Sequence, residues 1–186
     1  MKVLIEKFSN RRLITFLGIL LLANLLLFSI PGLPGSRASI LASAPDQQIP
    51  DMMGIYSPKA VYDFLSAIGP SGREAYQWMH YTSDLTFPLV YGLFLFSWLC
   101  RLVVGKDSKL HYVPFIAVLA SAADLAENFS MVSITDRFPV YLQGLTRLAQ
   151  VFSLMKFLGI GVCGVIGLIL VVNNNREKKK DRTTSI

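Results

Sequence analysis

Apolar residues gather in four long runs, and the segments between them are polar, basic or broken by proline and glycine. The first run, Leu13 to Ile30, is interrupted only by Asn24 and a few small side chains, and it follows Lys2, Lys7, Arg11 and Arg12. The others extend over 84–104, 112–134 and 145–172. About 20 apolar residues in a helix match the roughly 30 Å hydrocarbon thickness of a bilayer, so each run predicts one transmembrane helix. Residues 1–12 then form an N-terminal segment, and 105–111 and 135–144 form short connections. The polar, basic tail 173–186 is expected to be disordered or frayed.

Residues 31–83 form the longest polar stretch, opening with Pro31-Gly32-Leu33-Pro34-Gly35, which stops a helix and turns the chain. Ser57-Pro58 is a helix start, and Val61, Phe64, Leu65 and Ile68 then repeat at helical spacing up to Gly69-Pro70. This pattern predicts a short amphipathic helix between spans 1 and 2. Ser71 and Glu74 have the spacing of a capping box, so a second helix is expected to start there and run into the membrane. Pro88 is expected to bend span 2. Tyr76, Trp78 and Tyr81 precede that span, where amphipathic rings favour the headgroup layer.

Composition supports the membrane class: 53% of residues are hydrophobic, 16% are charged and the mean hydropathy is +0.49. The net charge of +6 does not indicate nucleic acid, because Lys and Arg flank the apolar runs. With both ends cytoplasmic, twelve basic residues fall inside: Lys2, Lys7, Arg11, Arg12, Arg101, Lys106, Lys109, Arg176, Lys178, Lys179, Lys180 and Arg182. Only Arg37, Lys59, Arg73 and Arg137 fall outside. The positive-inside rule therefore places both termini in the cytoplasm and 31–83 outside, or in the lumen if the host has organelles, and the plasma membrane is the expected location. A cleaved signal peptide is the rival for the first run, with Ala42-Ser43-Ala44 as its site. Against it, the run exceeds the usual length and the site lies well past its end.

Ionisable residues inside spans are costly and tend to face a bundle interior or a wet cavity. Asp124, Glu127 and Asn128 share one face of span 3 with Ser121 and Met131. Asp84 opens span 2, with Tyr91 two turns on, and Arg147, Gln150, Ser153 and Lys156 occupy the outer half of span 4. At about 1.5 Å per residue, Asp124, Glu127 and Lys156 reach one level, while Asp84 and Arg147 lie shallower and are expected to pair. Glu127 and Asp124 are the candidate acid or base, and Asp84, Asn128, Arg147, Lys156 and Tyr91 the candidate binding or charge-pairing residues. Purely structural ion pairing is the competing explanation.

Cys100 and Cys163 lie far apart in apolar runs, and His80 and His111 are assigned to opposite sides, so no metal or cofactor is predicted. The G-x-G-x-x-G match at Gly159–Gly164 lies within a predicted span and follows no strand, so it carries no dinucleotide fold. Gly161, Gly164 and Gly167 are read as a packing surface, with homo- or hetero-oligomerisation through this face as the alternative. Four spans with a polar cluster and a basic tail resemble the architecture of the emopamil-binding and sigma-2-receptor-like family, but no functional residue of that family carries over. Vitamin K epoxide reductases are also four-helix bundles, yet the C-x-x-C pair they require is absent.

The expectation is thus an all-α, integral membrane four-helix bundle with an extracytoplasmic amphipathic helix. Its partners are the bilayer and a small amphipathic or lipid-like ligand in an outer-leaflet polar cavity, and nucleic acid is excluded. A membrane-embedded acid/base enzyme acting on a lipid or isoprenoid and a non-enzymatic assembly partner are the alternatives. A transporter is disfavoured because no internal repeat is visible.

Overall fold

The computed structural model describes residues 1–184 and is all-helical, with no strand among them. Four helical stretches are long and apolar enough to cross a membrane: Arg11–Ser29, Gly69–Val103, Ser108–Asp136 and Gln143–Glu177.

A short helix, α1 (Lys2–Phe8), precedes α2 (Arg11–Ser29), whose start is capped by the Asn10 side chain accepting from the Arg12 amide. Ile5 of α1 is buried, and Phe8 packs edge-on to Phe96 at 5.3 Å, so the N-terminal segment belongs to the core. The Pro-Gly stretch then turns the chain into α3 (Arg37–Ile40). Gly35 has φ +76°, and a Cβ there would lie 2.8 Å from the Met79 amide nitrogen. No other residue permits that approach without strain.

A 3-10 turn, Pro50–Met52, leads to α4 (Pro58–Ala67), which begins as its sequence predicts: Ser57 Oγ accepts from the Ala60 amide, and Pro58 fills the first turn. Val61, Phe64, Leu65 and Ile68 are all buried. The next helix, α5 (Gly69–Tyr81), departs from expectation. Gly69 turns the chain at φ +67° and Pro70 occupies the first turn, so Ser71 lies inside the helix and the expected capping box is not its start. The backbone breaks at Thr82, and α6 (Ser83–Val103) follows.

After a second 3-10 turn, Ser108–Tyr112, come α7 (Phe115–Asp136) and α8 (Gln143–Thr184). The tail expected to fray is helical as far as it is described. Nothing after Val172 breaks a helix, Asn174 Nδ2 donates to the Leu102 carbonyl at 3.1 Å, and Glu177 pairs with Lys106.

Small residues set the spacing of α6, α7 and α8. A Cβ on Gly92 would lie 2.7 Å from Ser121, and one on Gly159 would lie 2.7 Å from Ala120, so both neighbours pack almost against backbone. Apolar clusters then form at either end. One joins Phe64, Ile68, Tyr76, Met131, Ile134 and Ala149, and the other joins Ile5, Leu99, Val103, Ala117 and Cys163. By contrast α2 buries only Leu17 and rests chiefly on α6.

Candidate functional site

Between the two apolar clusters, along α6, α7 and α8, lies a band of buried polar side chains. Its existence follows from helix periodicity. Asp124, Glu127, Asn128 and Met131 repeat along the inward stripe of α7, and Thr146, Ala149, Ser153, Lys156 and Cys163 along that of α8. Lys156 Nζ sits 3.0 Å from Asp124 Oδ1 and 2.6 Å from Glu127 Oε2, so the structure joins the three residues expected to meet. Glu127 is fully buried, and its second oxygen accepts from the Tyr56 hydroxyl at 3.0 Å. Burial, reinforced by the Glu127 and Asp51 carboxylates, raises the Tyr56 hydroxyl well above the usual tyrosine range, so it acts as a neutral donor.

Asn128 shares that face but serves the backbone. Pro88 has no N–H, which leaves the Asp84 carbonyl one turn earlier without its helical donor. Asn128 Nδ2 donates to that carbonyl at 2.7 Å, and Ser121 Oγ donates to the Pro88 carbonyl at 2.7 Å. Tyr91 is buried, and its hydroxyl donates to the Ala120 carbonyl at 3.2 Å.

Asp84 and Arg147 do not pair. Arg147 is exposed, because nine residues at about 100° each put it on the opposite side of α8 from Lys156. Asp84 instead faces His80, one turn earlier across the Thr82 break, with its Oδ2 at 2.9 Å from His80 Nδ1. His80 Nε2 lies 3.5 Å from Asp51 Oδ2, and the Tyr76 hydroxyl donates to the other Asp51 oxygen. Asp51, Tyr56, Tyr76 and His80 join the site although the apolar and polar pattern of the chain does not mark them as site residues. The i, i+4 pair of His80 and Asp84 was a readable signal for one of these contacts. Asp51 and Tyr56 offered none, since they lie in irregular chain folded back onto the bundle.

The glycine stripe also divides. A Cβ on Gly167 would meet the Trp98 ring at 2.1 Å, whereas Gly161 and Gly164 have open space around them. Residues 161 and 167 are six positions apart, about 120° around the helix, so the three do not form one face.

Two spaces adjoin the band. A cavity of about 270 Å³ lies between α2 and the other helices, with Asp51, Asp84, Asp124 and Lys156 on its polar side and Leu25, Phe28, Phe87 and Ile160 among its apolar walls. Glu127 is sealed behind it. A larger, almost wholly apolar groove of about 600 Å³ runs down α8 past Leu158, Val162 and Val165, and it shares Met52 and Phe157 with the cavity. Asp51, His80 and Asp84 each place one potential metal-donor atom within 4.8 Å of the others. Comparison with known protein families, with curated proteins and with solved structures finds no match. What the fold and site define is therefore a class: an all-helical chain with four candidate membrane spans and a charged, buried core.

Proposed function

We propose that this chain is a multi-pass membrane protein that binds a small amphipathic, lipid-like molecule, with the polar head in the cavity and the apolar tail in the groove. The observation that carries this reading is the shared wall of Met52 and Phe157. A polar space and an apolar channel meeting at the same side chains fit one molecule with two unlike ends. The polar side offers an ammonium donor on Lys156 and carboxylate acceptors on Asp51, Asp84 and Asp124, so a head group with both donors and acceptors is matched. In the topology that the basic residues favour, both termini are cytoplasmic, the cavity opens in the outer leaflet, and 31–83 forms its extracytoplasmic cap.

The acid/base alternative gains one specific point. Of the two candidate carboxylates only Asp124 lines the cavity, so an enzyme built on this site would use Asp124 as the acid or base and Glu127 to hold Lys156.

Mass spectrometry of molecules that co-purify with the detergent-extracted protein tests the binding reading. Phe157→Trp enlarges the shared wall. The expected result is an amphiphile retained by the native chain and lost from this variant while the fold persists. Equal retention by both, or no amphiphile on the native chain, refutes it.

A further inference from the structure

The trio of Asp51, His80 and Asp84 has no part in the ion pairs around Lys156, yet it is built from three separate elements: the Pro50–Met52 turn, the last turn of α5 and the first turn of α6. His80 is 3% exposed and Asp51 5% exposed. His80 Nδ1 lies 2.9 Å from Asp84 Oδ2 and His80 Nε2 lies 3.5 Å from Asp51 Oδ2, so the donor atoms of the trio face one another. Two carboxylates converging on one buried imidazole make a donor set that a cation can bridge. The occupant's charge can be read from the surroundings. Among the described residues, Asp51 and Asp84 form no ion pair with a lysine or arginine and face the His80 imidazole alone, so an occupant of the trio is a cation.

We propose that Asp51, His80 and Asp84 form a binding site for one divalent transition-metal cation of the zinc class. Ligands around a tetrahedral zinc sit about 3.3 Å from one another, given bonds of about 2.0–2.1 Å. The 3.5 Å between His80 Nε2 and Asp51 Oδ2 matches that spacing, and the other donor separations, at most 4.8 Å, contract toward it on binding. One imidazole nitrogen and two carboxylates select a zinc-like or manganese-like ion over calcium, which prefers oxygen alone. Asp51 faces Nε2 and Asp84 faces Nδ1, so Asp84 has to turn from Nδ1 toward the ion to serve as the third ligand. The Tyr76 hydroxyl holds the remaining Asp51 oxygen and fixes the orientation of that carboxylate. Asp51 and Asp84 also line the 270 Å³ cavity, so a position left open on the ion faces a space that admits water or a polar head group.

This site goes beyond the amphiphile reading and does not depend on it: either one can be occupied without the other. The test uses the full-length protein in detergent, stripped with a chelator and titrated with Zn²⁺ and, for its visible absorption, Co²⁺. The native chain is expected to take up about one ion per chain, to show ligand-field bands of a nitrogen- and oxygen-bound Co²⁺, and to melt at a higher temperature with metal than with chelator. Asp51→Asn and His80→Ala are each expected to weaken binding by more than about tenfold, whereas Asp63→Asn, which removes an exposed partner of Lys59, leaves it unchanged. Should both site variants fail to fold, the metal-dependent melting of the native chain decides. No bound Co²⁺ together with no melting difference on the native chain overturns the proposal. So does undiminished binding in both folded variants.

Discussion

Among the described residues, Lys156 is the one lysine or arginine in the buried band, and the effect of its removal follows from the structure. Lys156→Met keeps an unbranched apolar stem of similar length and deletes the ammonium, leaving Asp124 and Glu127, 3% and 0% exposed, without the cation between them. Breaking a buried ion pair on one side costs about 3–5 kcal/mol, because the abandoned charge stays buried. Hydrogen bonds between helices in a bilayer are worth about 1 kcal/mol or less, so the hydroxyl of Tyr56 does not offset the loss. At about 2–4 °C per kcal/mol for a chain of this size, the melting temperature is expected to fall by about 6–20 °C. The protein carries its own reporter: Cys100 and Cys163 are both free and buried, so a fluorogenic maleimide reacts as the bundle opens. The neutral triple variant Lys156→Met, Asp124→Asn, Glu127→Gln removes all three charges together and is expected to recover at least half of the lost stability. A single variant that melts with the native protein, or a triple variant no better than the single, refutes the reasoning.

Asn128 and Pro88 are expected to be coupled. Asn128→Leu should cost about 1–3 kcal/mol by stranding the Asp84 carbonyl, and clearly less in a Pro88→Ala background that restores the helical N–H; equal costs in a double-mutant cycle of melting temperatures would deny the link. Gly167→Ala should destabilise by about 1–3 kcal/mol, because its methyl meets the Trp98 ring, while Gly161→Ala should be neutral or slightly stabilising. Gly161→Leu should leave the elution volume on size exclusion unchanged if that face meets lipid, and should shift it if the face holds a second chain.

The helices with a strong apolar stripe were readable, and so was the meeting of Asp124, Glu127 and Lys156, because helical spacing and depth are properties of the chain alone. Arg147 shows the limit of counting depth without angle: its depth matches that of Asp84, but it lies half a turn around α8 from Lys156 and faces outward. His80 precedes the apolar run that opens at residue 84 and so reads as lying outside span 2, whereas α5 and α6 run from Gly69 with a single break at Thr82. Asp51 and Tyr56 were beyond reach for a different reason. Their segment has no periodicity, and packing of its neighbours Ile40, Leu41 and Ile49 into the apolar cluster of α4 and α5 is what holds them over the band. The helical tail shows the limit of composition as a guide, since a polar segment without a breaker continues the helix it follows.

The claim that an amphipathic molecule occupies the joined cavity and groove is tested most directly by photolabelling in a bilayer. A lipid carrying a diazirine in its tail is incorporated into vesicles with the native protein, irradiated, and the labelled residues are mapped by peptide sequencing. Labelling concentrated on Met52, Phe157, Leu158 and Val162, and abolished there by Phe157→Trp, is the predicted result. Labelling spread over outward-facing residues such as Leu119, Phe129 and Leu168, with no enrichment at the groove, would contradict it.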